Sequence, residues 1–381
     1  MEKKQIPKEL FKPLERKEDT SEVISRESRT FGQNARRTLF RNIPAMVALI
    51  ILLLITFMSI FGPGMNEYGY DDQDVTRSNM PPRIPVLENI SWLGFDGTLT
   101  EEIKGDNIEH ATQNAIARFG NKPEFVDIKV VDEGDGTKNS AVVEATQRTY
   151  EAKGLEDSYF WLGTDRLGRD QWTRIWRGTR ISLFIGVLAA LIDLIIGVAY
   201  GGISGYYGGR VDDVMQRIIE ILVGIPNLVV VFLMMIVLNP GIISITIALT
   251  ITGWTGMARI VRGEMLKWKN QEFVLAAQTL GTPHRKIIGS HIMPNISGII
   301  IINTMFTIPT AIFFEAFLSF IGLGIAPPEA SLGSLIDQGF DSIRVYPFLL
   351  LYPAVLISAI MIAFNILADG LRDAFDPKMH K

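Results

Sequence analysis

The chain has 381 residues, 48% of them hydrophobic, and its 37 Lys and Arg against 41 Asp and Glu leave a net charge of −4. A mean hydropathy of +0.22 is too apolar for an ordinary soluble domain of this length and points to a membrane protein. The near-neutral balance excludes bulk attraction to nucleic acid, and the lack of cysteine excludes disulfides, thiol chemistry and lipid attachment at an N-terminal cysteine.

Residues 1–42 open with MEKKQIPKELFKPLERKEDTSEVIS, polar and charged without an apolar core. They do not make a cleavable signal peptide and are expected to be a disordered or loosely helical cytoplasmic tail. A bilayer span needs about 20 predominantly apolar residues, because backbone polar groups find no water in hydrocarbon. Six stretches qualify: Ile43–Phe61, Ile181–Ile203, Ile218–Leu238, Ile242–Ile260, Ile296–Ile321 and Phe348–Leu367. The expected class is an all-α polytopic membrane protein with six transmembrane helices. Its parts are a first span at 43–62, a long loop at 63–170, a core at 171–368 whose loop 261–295 separates spans four and five, and a cytoplasmic tail at 369–381.

Orientation follows from basic residues near span ends. Arg26, Arg29, Arg36, Arg37 and Arg41 precede the first span, and Arg259, Arg262, Lys267, Lys269, Arg285 and Lys286 lie between spans four and five. Both termini and the 261–295 loop are therefore expected in the cytoplasm of a cell whose plasma membrane holds the chain. Arg166, Arg169, Arg174, Arg177 and Arg180 fall on the opposite side, but they end a long translocated loop, where charge counts carry little weight.

Within that outer loop, Ile108, Ala111, Ala115, Ile116 and Phe119 share a helical face before Gly120, and FVDIKVV and SAVVEA flank DEGDGTKN as two strands around a turn. A small α+β extracellular lobe at about 88–150 is expected. A calcium loop starting at Asp135 would need Gly where Ser140 stands and Glu at its twelfth place, so the hairpin turn is preferred. Residues 67–165 hold 20 Asp and Glu against 9 Lys and Arg, which suits a basic partner or, more simply, a solvated surface. Asp170 can cap a helix with Trp172, Ile175, Trp176 and Thr179 on one face, lying either in the headgroup layer or against a neighbouring span.

Between spans four and five, Phe273, Ala276, Ala277 and Leu280 fall at i, i+3, i+4 and i+7, a helix ended by Gly281. Thr282 offers an N-cap and Pro283 a first position for a second short helix with Ile287, Ile288, His291 and Ile292, closed by Pro294. Such a projecting knob suits docking in a partner's groove, and an amphipathic hairpin resting on headgroups has the same pattern.

AAQTLG with the later HIMPN resembles the cytoplasmic signature of ABC-importer permeases. LGTDRLGRD (162–170), RISL (180–183), GYYGG (205–209), FLSFIGLG (317–324) and DGLRDAFDP (369–377) are similar to the dipeptide, oligopeptide and nickel permease family, in particular to its C-type oligopeptide subunits. Two departures stand out: Leu275 replaces the Glu of the broader signature, and residues from about Glu88 to Tyr150 enlarge the outer loop.

The resemblance implies a type I ABC-importer permease fold, a second permease subunit, two ATP-binding subunits and an extracellular substrate-binding protein. It also implies that Ala276, Ala277, Gly281, Thr282, Pro283, His284, His291 and Pro294 form or support the contact with the ATPase. The cargo is expected to be a dipeptide or oligopeptide, with nickel or another small solute left open. Asp193, Glu220 and Glu315 are candidates for a polar path, because ionisable groups inside spans face protein or water, and for Glu220 and Glu315 a partner span is the competing reading. Pro226 in GIPNL and Pro309 in TIPTA are candidate hinges or plain kinks. No Walker G-x-x-x-x-G-K-[ST] occurs, and His110, His284, His291 and His380 form no HExxH set, so no ATPase, catalytic, metal or cofactor site is expected. A reading of a different class is a membrane-anchored receptor or scaffold that senses a ligand outside and recruits a partner inside.

Overall fold

The computed structural model describes residues 31–134, 140–239 and 241–375. The tail before residue 31 with Arg26 and Arg29, most of the DEGDGTKN turn, and the last six residues with His380 lie outside the described residues.

A short helix α1 (Phe31–Arg41) leads into α2 (Ile43–Phe61), the first apolar span, and Asn42 between them accepts the Ala45 N–H at 3.2 Å on its side-chain oxygen. A three-stranded sheet follows, in the order β1 (Thr98–Gly105), β3 (Ala141–Arg148), β2 (Val126–Asp132), with both pairings antiparallel. Helix α3 (Ile108–Arg118) buries Ala111 and Ala115 on it against Val126, Val143 and Ala145, and Phe119 closes that core. The helix and the two strands around the turn occupy their expected places, and β1 adds an edge strand. A single turn of helix, α4 (Thr149–Lys153), ends the lobe, and its Tyr150 hydroxyl donates to the Pro81 carbonyl at 2.9 Å.

The span expected at 181–203 is the middle of α5 (Gln171–Tyr207), one helix of 37 residues and about 55 Å. No corner separates the Trp172–Thr179 face from the span. Instead, Trp172 Nε1 donates to the Gly62 carbonyl at 2.8 Å and Trp176 packs on Gly62, so this face rests on the end of α2.

The third expected span is broken. α6 (Gly209–Val223) and α7 (Asn227–Leu238) meet at a 77° bend, where Pro226 has no N–H to continue the helix and itself sits at φ −57°, ψ 127°, outside helical angles. α8 (Ile242–Trp268) then runs two turns past its apolar run, so Arg259, Arg262 and Lys267 stand on a helix rather than a loop.

After α9 (Glu272–Thr279) and α10 (His284–Lys286), a π-helical segment (Ile287–Ile292) passes directly into α11 (Met293–Leu318). Pro294 therefore does not stop the helix. Its ring would clash with the carbonyl four residues back, and the wider π turn ahead of it relieves that contact. A second π turn (Ser319–Leu323) ends this rod, α12 (Leu332–Phe340) tucks back beside it, and α13 (Phe348–Phe375) is the last apolar helix. Among the described residues five helices are long and apolar enough to cross a membrane, and the α6–α7 pair makes a sixth when counted as one span.

The most extensive helix contact is α5 on α8. Gly197, Gly201 and Gly205 recur every fourth residue on α5 and press on the α8 backbone. A Cβ at Gly201 would sit 2.2 Å from the Ala258 carbonyl oxygen, and one at Gly205 would sit 2.8 Å from that of Arg262. In a membrane, where apolar burial gains little, such small-residue contact is what brings helices together. Gly201→Ala should therefore cost about 1–3 kcal/mol through overpacking and lower the thermal unfolding midpoint in detergent. Gly263→Ala on α8, with nothing within 4 Å of the new methyl, should leave that midpoint unchanged.

Candidate functional site

The segment 269–292 forms an elbow at one end of the bundle. Val274 and Ala277 of α9, with Ile287 and Ile292 of the π segment, are buried in a cluster with Tyr206 of α5, Met257, Val261 and Met265 of α8, and Ile296 and Ile300 of α11. Lys269 Nζ donates to the Gly205 carbonyl at 2.8 Å, and Tyr206 Oη lies 2.7 Å from His284 Nδ1. The elbow is thereby fixed to three long helices at once.

The buried stripe is rotated from the expected one. Phe273, Ala276 and Leu280 face outward with Leu275, Leu280 at 86% exposure, while Val274 and Ala277 face the bundle. An eight-residue helix buries only about one residue per turn, and Val274 with Ala277 is the pair whose face meets Ile287 and Ile292.

Gly281 adopts φ +76°, the Thr282 N–H bonds the Ala277 carbonyl and the Gly281 N–H that of Gln278, both at 3.0 Å. This is a Schellman closure with glycine in the left-handed position. Thr282 consequently finishes α9 instead of capping α10, whose N-cap is Pro283. His291 is partly buried, its carbonyl accepting from Asn295 Nδ2 at 2.6 Å, and Pro294 is exposed.

At the base of the elbow, Asp212 of α6 receives Arg262 Nε at 2.6 Å and Nη2 at 2.5 Å, and the Ser204 hydroxyl donates to it from α5. Arg262 is thus part of a bidentate ion pair joining α6 to α8. Sequence reasoning counted Arg262 as a loop charge and passed over Asp212; the acid three residues after the GYYGG corner was the available signal.

A cavity of about 290 Å³ opens mid-bundle between α5, α8 and α11, lined by Asp193, Asn227, Gly253, Asn303, Thr307 and Phe314 among others. It shares Asn303 and Phe306 with a larger hollow of about 860 Å³ that runs toward the elbow end, past Asn295, Glu264, Lys267 and Arg372. Asp193 is thus placed on a polar-edged hollow. The other two acidic candidates are not brought to it. Glu220 is exposed on α6 and paired with Arg217 at 2.8 Å.

Glu315 is fully buried, accepting from Ser182 Oγ at 2.9 Å and Ser319 Oγ at 2.8 Å. Ser182 also accepts the Leu332 N–H at the start of α12. The serines of RISL and FLSFIGLG therefore meet on one carboxylate that ties α5, α11 and α12. Pro226 stands at the α6–α7 bend and Pro309 is buried inside α11.

At the opposite end, LGTDRLGRD folds into a clasp. Asp165 accepts from the Leu167 and Arg169 N–H groups and from Arg169 Nε at 2.7 Å, while Asp170 caps α5 through the Thr173 N–H at 2.8 Å. Arg177 pairs with Glu329 at 2.7 Å and lies 4.0 Å from the centre of the Tyr70 ring. Burial holds the Tyr70 phenol above its usual range. Arg166 reaches Ser342, Arg174 lies 3.6 Å from Asp165, and Arg180 bonds the Ser59 and Ile60 carbonyls. All five arginines of this cluster are engaged by protein.

Among the described residues no three His, Asp or Glu side chains gather as metal ligands. Gly281→Ala has no steric neighbour, so its cost is the left-handed backbone alone, about 1–2 kcal/mol. Amide exchange should rise across 273–282 and stay unchanged in α8 and α11, as read by hydrogen–deuterium exchange.

Residues 197–381 match the family described as binding-protein-dependent transport system inner membrane component, and residues 30–82 match the N-terminal TM domain of oligopeptide transport permease C. The chain is 39% identical over 376 residues to the oligopeptide transport system permease protein OppC of Bacillus subtilis, covering 99% of each chain. It is also 39% identical over 378 residues to the dipeptide transport system permease protein DppC of the same organism, covering 99% of this chain and 95% of the other. Among solved structures, inward-facing conformations of the MetNI methionine ABC transporter align at a TM-score of 0.41 and 16% identity, over 51% of this chain and 94% of that one. The chain is a multi-pass membrane protein that belongs to the oligopeptide permease family of binding-protein-dependent transport systems.

Proposed function

We propose that this chain is one permease subunit of an ABC importer that passes dipeptides or oligopeptides, pairing with a second permease and served by two ATP-binding subunits and a substrate-binding protein. It crosses the membrane six times, the bent α6–α7 pair making one crossing. Both termini and the elbow lie in the cytoplasm, and the β1–β3 lobe lies outside. The engagement of Arg166, Arg169, Arg174, Arg177 and Arg180 by protein groups supports that orientation, because these charges are held in ion pairs and hydrogen bonds near the lobe instead of anchoring a free loop.

The observation that carries the reading is the two-sided elbow. Val274, Ala277, Ile287 and Ile292 are buried on three long helices, while Phe273, Leu275 and Leu280 present an apolar surface outward. An exposed apolar helix end on a rigid base is what a groove in an ATP-binding subunit can grip. Ala276, Gly281, Thr282, Pro283 and His284 shape that end, and His291 and Pro294 support it from the rod behind. Closure of the ATPase pair then shifts the populations of two arrangements of the bundle. A receptor or scaffold would have no use for a polar-edged hollow reaching mid-bundle, which favours transport.

The test is reconstitution with the partner subunits. Peptide-loaded binding protein should stimulate ATP turnover, and Leu280→Glu, which buries a charge in the docking groove, should lower that stimulation at least about tenfold with membrane levels unchanged. Crosslinks from Leu280 that reach lipid and never an ATP-binding subunit would contradict the reading.

A further inference from the structure

Among the described residues a single acidic group lines the mid-bundle cavity, and that group lacks a partner there. Asp193 is 6% exposed, its Oδ1 is buried without a hydrogen-bond donor, and its Oδ2 would lie 2.4 Å from a Cβ at Gly253. The glycine makes the room the carboxylate occupies. Burying a carboxylate unpaired is costly, so it awaits either a proton or a cation.

The lining favours the cation. Asn303 Nδ2 donates to the Ile299 carbonyl at 2.7 Å, Thr307 Oγ1 to the Asn303 carbonyl at 3.0 Å, and Thr310 Oγ1 to the Phe306 carbonyl at 2.9 Å. Those helix bonds engage both hydroxyl protons and one Asn303 amide proton, leaving the hydroxyl lone pairs and the Asn303 side-chain oxygen as acceptors beside the amide N–H groups of Asn303 and of Asn227, whose Oδ1 accepts from Thr252 Oγ1 at 2.9 Å. Phe306 and Phe314 add aromatic rings, and among the described residues no Lys or Arg lines this cavity. A pocket whose one charge is an unpaired carboxylate, with hydroxyl and amide oxygens and aromatic rings beside it, is complementary to a cationic group with N–H donors.

We infer that Asp193 is a transit subsite for the cationic group of a passing peptide, its α-ammonium or a Lys or Arg side chain. The inference rests on the peptide-permease reading and adds to it the chemistry of one contact along the path. An anionic solute would be repelled there, and a neutral one would leave the carboxylate without a counter-charge.

The test uses the full transporter in nanodiscs and dicyclohexylcarbodiimide, which adds to protonated carboxyls in apolar surroundings, with label at Asp193 read by mass spectrometry and Asp193→Asn as the blank. Trialanine at ten times its dissociation constant should slow labelling about tenfold, and N-acetyl-trialanine amide should not. N-acetyl-Ala-Lys-Ala amide separates the sources, because protection by it shows that a basic side chain serves as well as the α-ammonium, and its failure confines the subsite to the amino terminus. Equal protection by the neutral and ammonium peptides would overturn the inference, as would labelling indifferent to every peptide. Asp193 unreactive with or without peptide would mean that its charge is already balanced without a peptide cation, and would overturn the inference too. ATP-driven uptake of trialanine by the wild type, measured alongside, decides the peptide-permease reading separately.

Discussion

The close contact of α5 with α8 is the constraint on which the other features depend. Ala189, Asp193, Gly197, Gly201 and Gly205 lie four residues apart, one ridge of a single helix. Its lower part has no side chains, so the two backbones touch, and its upper part carries the carboxylate that faces Gly253 across the same seam. The ridge thus fixes both the wall of the mid-bundle hollow and, through Tyr206 and the Gly205 carbonyl, the seat of the elbow. Backbone contact is stiff because it contains no rotamers to yield.

The motifs picked out in the sequence divide by what they hold together. RISL and FLSFIGLG meet at Glu315, and LGTDRLGRD makes the clasp that joins the lobe end of α5 to the chain arriving from α2. These hold the frame. The elbow motif has two duties, with Val274 and Ala277 turned inward and Phe273 and Leu280 outward. Asp212 with Arg262 adds a lock at the elbow base: breaking it would leave a partly buried charge on α6 facing the end of α8, so α6 and α8 are held to move together.

Much of this could be read from the chain alone, where the signal was long or local. Apolar runs located five long apolar helices, Gly281 marked the corner, and FVDIKVV with SAVVEA gave two strands. The misses have definite causes. Two turns of α9 give too few residues for periodicity to choose between the Phe273–Leu280 and Val274–Ala277 faces, and packing on Ile287 and Ile292 made the choice. Pro294 and Pro226 carry the same local signal, yet one is absorbed by a π turn within a continuous rod and the other bends its span by 77°. The edge strand β1 reads TLTEEIKG, whose alternation is masked by charge because only one side of it is covered. The Gly197–Gly205 ridge was visible as a repeat of four, but its meaning required knowing which helix lay opposite.

The central claim is that the elbow and α5 are one rigid body. Because the chain lacks cysteine, spin labels can be placed at Leu280 and at Val187, an exposed position on α5, without background. In the reconstituted transporter the distance between them should keep one narrow distribution in the nucleotide-free and ATP-trapped states. A shifted or broadened distribution on ATP trapping would show the elbow swinging free of α5 and would contradict the account.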